Sequence, residues 1–175
     1  MRRLELALWR EQQRAEIAEG RVDKLLATPP AEEIPGGHYS CFLGTSRPDG
    51  RPRAAGIGAR WHDGDFYIVS GAGTRKSQHL AANPARTISL SLTGIDLVLE
   101  GEAVIVTGKE TLKTVAALYR ERGWPAEVEG DAFTALYCAP SAGPPPWDLY
   151  RFTYHTAFGV ASEEPWGATR WRFER

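Results

Sequence analysis

WHDGDFYIVSGAGTRKSQHLAANP, residues 61–84, holds three structural elements and the signals that separate them. His62-Asp63-Gly64-Asp65 is a tight turn of the Asp-Gly kind that joins antiparallel strands. Phe66–Ser70 is rich in β-branched and aromatic residues and reads as a strand. Gly71-Ala72-Gly73 breaks it, Thr74 supplies a helix N-cap, and residues 75–82 read as a short helix that Asn83-Pro84 stops.

Strand signals extend outward on both sides. Upstream, the apolar run His38–Ser46 is followed by Arg47-Pro48-Asp49-Gly50, where Pro presets φ and Gly accepts a positive φ. Arg51–Trp61 then completes a three-strand meander with Phe66–Ser70. Downstream, strands are expected at Thr87–Leu92 and Asp96–Val106, with Gly101 marking a bulge that curls the sheet. Thr107–Glu110 has the spacing of a capping box and opens a helix that ends at Gly123. Residues 124–148, rich in Pro and Gly, carry no clear pattern, and strands return at Tyr150–Val160 and Thr169–Phe173. Residues 3–27 are good helix formers ended by Thr28-Pro29-Pro30. The expected organisation is an N-terminal helical segment and linker (1–36) and a β domain (37–175). Its fold class is mainly β with flanking helices, a small antiparallel barrel closed by helices at its ends.

With 21 Lys or Arg against 22 Asp or Glu, the 175-residue chain has a formal charge of −1. A single domain of this length buries roughly 70% of its unfolded surface without metals or staples. A composition 42% hydrophobic and 25% charged excludes disorder, and near-neutrality argues against nucleic-acid or membrane-surface partners. Glu5, Arg10 and Glu11 interrupt the first apolar run, so no signal or membrane span is expected and the protein is expected to be cytoplasmic. Cys41 and Cys138, each in apolar surroundings, read as buried thiols. Seventeen of the cations are Arg, which fits a GC-rich genome or selection for heat tolerance.

No nucleophile elbow, metal-ligand spacing or Walker loop is present, so no catalytic side chain and no metal ligand is assigned. Chemistry concentrates instead in Gly71–Lys76. There a glycine loop feeds a helix whose first turn carries Arg75 and Lys76, against the helix dipole. Such an arrangement suits a phosphate held by backbone N–H groups, Thr74, Arg75 and Lys76; a solvated basic helix start gives the same pattern. Gly56 and Gly58 sacrifice packing within one strand, which fits either a planar ligand against the backbone or a bulge or close helix contact. Trp147, Trp166 and Trp171 gather near the end, the last flanked by Arg170 and Arg172.

Four segments in order, Arg47–Arg53, Trp61–Tyr67, Thr74–Pro84 and Val98–Ala103, resemble the pyridoxamine 5′-phosphate oxidase-like family of flavin- or deazaflavin-binding split barrels. The resemblance covers about residues 38–122, with an echo at 168–173. It implies a six-stranded antiparallel split β-barrel, a homodimer, and FMN (or coenzyme F420) in clefts at the dimer interface, reacting with a small-molecule substrate. By resemblance, Arg75 and Lys76 hold the cofactor phosphate, beside the Thr74 hydroxyl that the helix start itself suggests. Arg53, Ala55, Gly56 and Ile57 lie along the ring system, Val69 and Ser70 add contacts, and Trp171 and Arg172 reach the site from the C-terminal segment. True pyridoxamine phosphate oxidases carry an Arg-x-His there; Arg170-Trp171-Arg172 has no histidine, which argues against vitamin B6 oxidation. The implied activity is a flavin- or deazaflavin-dependent oxidoreductase. A non-catalytic flavin carrier or sensor, or a cofactor-free barrel for another phosphate-bearing ligand or haem, are the other readings.

Overall fold

Two hairpins begin the fold, in a computed structural model that describes residues 41–92, 94–136, 141–164 and 166–174. β1 (Cys41–Ser46) pairs antiparallel with β2 (Pro52–Ile57) across the Arg47–Gly50 turn, where Gly50 takes φ +80 and its N–H bonds the Arg47 carbonyl at 2.9 Å. β3 (Ala59–His62) pairs with β4 (Asp65–Gly71) across Asp63-Gly64, both with positive φ. This is the geometry the Asp-Gly turn predicts.

The single strand expected over Arg51–Trp61 is thus two strands, the first pairing with β1 and the second with β4, so the expected meander is broken at Gly58. β2 and β3 lie at opposite ends of the sheet path β2-β1-β5-β6-β9-β4-β3, joined only by the chain at Gly58. That continuity closes the sheet into a split barrel. With β2 and β3 taken as one strand broken at Gly58, the path has the six strands expected. The remaining members are β5 (Ala85–Leu92), β6 (Ile95–Ile105) and the 15-residue β9 (Trp147–Ala161). β10 (Ala168–Arg172) adds to β9, and the hairpin of β7 (Glu127–Glu129) and β8 (Ala132–Thr134) fills part of the stretch that had no clear pattern.

Gly101 is the bulge. The β6–β9 register shifts between Glu100 and Gly101, and a Cβ on Gly101 would stand 2.1 Å from the Thr153 carbonyl oxygen. No other residue permits that approach.

Helix α1 (Arg75–Ala82) matches its predicted limits. Thr74 caps it by accepting the Ser77 N–H at 3.1 Å, and Asn83 leaves it in an extended conformation. Buried Arg86 donates to the carbonyls of His79 and Ala85 just after the helix ends. Helix α2 (Lys109–Glu121) departs from expectation at its start. Gly108, not Thr107, is the N-cap and no side chain caps it. The helix begins too late for Glu110 to occupy the third helical position of a capping box, and Glu110 instead meets Lys113 at 3.1 Å.

Two apolar clusters result. The barrel interior holds Leu43, Ile57, Phe66, Ile88, Leu99, Phe152 and Trp171. A second cluster beneath α2 joins Leu112, Val115 and Tyr119 to Phe133, Ala142 and Trp147. Of the tryptophans near the end of the sequence, Trp147 and Trp171 lie in different clusters, and Trp166 is exposed. Cys41 is a free buried thiol, as read from sequence; Cys138, His38 and the helical segment at 3–27 lie outside the described residues. Among the described residues no helix is long and apolar enough to cross a membrane.

Candidate functional site

The end of β4 and the start of α1 meet in a ring of hydroxyls. Ser70 and Thr74 are 2.8 Å apart, Thr74 donates to Ser77 at 3.2 Å, and Ser77 donates to Ser70 at 2.8 Å. The turn between them closes with the Thr74 N–H on the Gly71 carbonyl at 3.0 Å. Because Thr74 takes the Ser77 N–H, the N–H groups of Arg75 and Lys76 remain without an intrahelical acceptor. Both cations stand beside them, Arg75 exposed and Lys76 buried, with no acidic residue in the first turn. Burial pushes the Lys76 ammonium down to about 8. A buried cation at a positive helix end needs a partner. Among the described residues that partner is the Ser141 carbonyl oxygen at 2.8 Å.

Ser141 belongs to a strap, residues 141–146, that crosses this loop. The Gly71 N–H donates to the Ala142 carbonyl at 2.8 Å, and the Trp147 indole N–H donates to the Gly143 carbonyl at 2.8 Å.

A second feature lies on the outer face of the barrel. The strand registers place Gly56, Phe42, Ser89, Val98, Phe158 and Arg170 in one cross-strand row. Residues directly opposite in an antiparallel sheet share a face. Phe42 is 53% exposed and Val98 38%, and the Arg170 guanidinium stands 5.0 Å from the Phe158 ring centre. Among the described residues a Cβ on Gly56 or on Gly58 would meet nothing within 4 Å, so close packing against them explains neither glycine. Beside the row is a hollow of about 750 Å3 lined in part by Arg53, Thr45, Arg86, Glu100 and His155.

The sequence matches the family model for pyridoxamine 5′-phosphate oxidase over residues 27–160. The chain belongs to the pyridoxamine 5′-phosphate oxidase family. Among curated proteins none matches the sequence. The fold resembles that of a pyridoxamine 5′-phosphate oxidase-related, FMN-binding protein from Nostoc punctiforme, with TM-score 0.55 and 14% identity over 89% of this chain and 96% of that one. It also resembles an F420 reductase (TM-score 0.52, 19% identity, 77% of this chain and 94% of that one) and General Stress Protein 26 of Bacillus anthracis (0.53, 16%, 88% and 98%).

In this member of the pyridoxamine 5′-phosphate oxidase family, the residues picked from sequence fall into three groups. Ser70, Thr74, Arg75 and Lys76 come together at the head of α1. Arg53, Ala55, Gly56 and Ile57 lie on β2, which among the described residues pairs with β1 alone. The Ile57 side chain points into the barrel and that of Val69 into the second cluster, so what each offers a ligand is backbone. Trp171 and Arg172 lie on β10, which among the described residues pairs with β9 alone. Trp171 packs in the barrel interior, its ring edge so close to Gly159 that a Cβ there would be 2.6 Å away; Arg172 is exposed, two residues along from Arg170.

Three contributors escaped the sequence reading. Ser77 closes the hydroxyl ring, Tyr150 hydrogen-bonds Ser77, and Ser141 holds Lys76. The three-residue spacing from Thr74 marks Ser77 in sequence. Nothing local marks Ser141, which lies 65 residues from its partner.

Proposed function

We propose that this protein binds a phosphate-bearing flavin or deazaflavin cofactor, FMN or F420, and works as a homodimeric oxidoreductase on a small molecule. The observation that carries the reading is the cradle at the head of α1: free helix N–H groups, a hydroxyl ring and two cations without an acidic neighbour in the turn. A phosphate group fits here, because the helix N–H groups donate hydrogen bonds and Arg75 and Lys76 carry positive charge, while the three hydroxyls bond one another and hold the loop in shape. The FMN-binding and F420-reductase neighbours favour the same class of cofactor and leave both members open.

In this reading Arg75 and Lys76 hold the phosphate, and Arg53 supports it from the start of β2. The open backbone around Gly56 and Gly58 receives the flat ring system. The exposed row from Phe42 to Arg170 packs on a second copy, which excludes water from the ring and brings its own Arg172 near it. The bound cofactor supplies hydride transfer, and the chain's residues bind and orient it. No side chain is assigned as a catalytic acid or base.

The test is to purify the protein, release any bound chromophore and identify it by spectrum and mass. FMN or F420 at one per chain supports the reading; purified protein that carries neither and binds neither on titration overturns it. Sedimentation at the same concentrations reads the homodimer.

A further inference from the structure

An ammonium group has three N–H donors, and among the described residues the structure gives that of Lys76 one acceptor. We propose that the strap formed by residues 141–146 is the positioning device of the anion cradle. In it the Ser141 carbonyl takes one donor of Lys76, and the other two are left for the oxygens of a phosphate monoester. This rests on the phosphate reading above and adds a residue pair that the reading did not contain.

The strap is built as a fixed part of the molecule. Ala142 is fully buried in the second apolar cluster and its carbonyl accepts the Gly71 N–H at 2.8 Å. The indole of Trp147, itself fully buried, holds the Gly143 carbonyl. Gly143 takes φ +74 and passes so close to Thr74 that a Cβ there would lie 2.9 Å from the Thr74 methyl. Gly71 is equally constrained, since a Cβ on it would stand 2.8 Å from the Pro144 carbonyl oxygen. Two glycines thus let two backbones meet where a side chain on either one would part them. An element that docks through a core residue and through hydrogen bonds to three of its carbonyls, one from backbone and two from side chains, acts as a scaffold, not as a lid.

The consequence for binding is physical. A free lysine loses much rotamer entropy when it grips an anion. Here the carbonyl bond has already fixed the side chain, and burial has stripped water from it. An anion then meets a pre-placed, partly desolvated charge, where its hydrogen bonds are stronger than in water. Other titratable groups beside the cradle are Arg75 on α1, Asp148 opposite Ser70 in the β4–β9 register, and Tyr150 on Ser77; burial holds the last two above their usual values.

The experiment compares FMN with riboflavin, which lacks the phosphate, so their affinity ratio isolates the cradle. Lys76→Ala, Gly143→Ala and Gly143→Ala with Thr74→Ser are measured beside the wild type. The amine of Lys76 is followed by NMR of the unmodified side chain in isotope-labelled protein. Gly143→Ala should cut the FMN-to-riboflavin ratio about tenfold and return the Lys76 amine toward the titration of an exposed lysine. Thr74→Ser, which removes the obstructing methyl and keeps the capping hydroxyl, should restore part of both. A merely structural strap would lower the melting temperature and leave ratio and titration in place, which overturns the proposal. A ratio that rises in Gly143→Ala also overturns it, by making the strap a competitor. If the wild type itself shows no preference for FMN, or Lys76→Ala keeps it, the phosphate reading fails and the proposal with it.

Discussion

The hydroxyl of Tyr119 on α2 donates to the carbonyl oxygen of Gly58, 3.2 Å away, at the point where the chain leaves one end of the sheet path for the other. The same hydroxyl lies 3.1 Å from the Tyr67 carbonyl, so one hydrogen serves two acceptors. It binds the cluster beneath α2 to the seam of the barrel. The ring also carries the Arg60 guanidinium 5.1 Å from its centre.

Tyr119→Phe keeps the ring and removes the donor, leaving buried carbonyls short of a partner. Stability should fall by about 1–2 kcal/mol. Denaturant unfolding checks this, and an unchanged midpoint would show that the seam does not depend on the bond.

Glycines of the same sheet should behave in opposite ways. Gly101→Ala drives a Cβ into the Thr153 backbone and should cost about 3 kcal/mol or more, since the obstacle is main chain that does not rotate away. Gly56→Ala meets nothing among the described residues and should leave stability unchanged or raise it by about 0.5–1 kcal/mol. The same alanine should weaken FMN about tenfold if the ring lies along this backbone. Thermal melts and fluorescence titration of the two variants separate these outcomes.

Lys76 links the cradle to pH. Its folded value of about 8 lies below the ordinary 10.5, so between these limits the unfolded chain holds more protons than the folded one. Ligand-free stability should therefore rise with pH from about 8 to 10.5 relative to Lys76→Met. Below that window the buried charge weighs on the fold in full, and above it the cost is gone. Melting temperatures of the pair across this range check the sign, which a flat or falling difference would contradict. Lys76→Ala should also weaken FMN at least tenfold at pH 7, since charge-assisted bonds contribute about 1.5–3 kcal/mol.

Burial pushes the Cys41 thiol up to about 12. In a Cys138→Ser background, native protein should react with a disulfide reagent only as fast as it unfolds, and at once in denaturant. Rapid reaction of the native form would place Cys41 at an accessible surface.

The local signals in the sequence held where the physics is local. Asp63-Gly64 forces its hairpin because few other residues tolerate two successive positive φ values. Thr74 and Asn83-Pro84 bound α1 because cap and stop act within one turn. The capping box at Thr107 failed for the same reason, since a one-residue shift in the helix start removes its geometry. Gly101 was legible as a bulge, although its obligate partner, the Thr153 backbone, lies more than fifty residues away.

By itself the sequence determined the strand-rich class, the limits of α1 and the family, and with the family a phosphate site at Arg75 and Lys76 as an expectation. Tertiary structure decided what those residues have around them. It divided Arg51–Trp61 between the two ends of the sheet, turned Trp171 inward while leaving Arg172 exposed, and brought the Ser141 carbonyl to Lys76. Propensity and turn chemistry are written in neighbouring residues. Which backbone atom fills a lysine's coordination across 65 positions depends on how two apolar clusters close, and that is settled only when the whole chain packs.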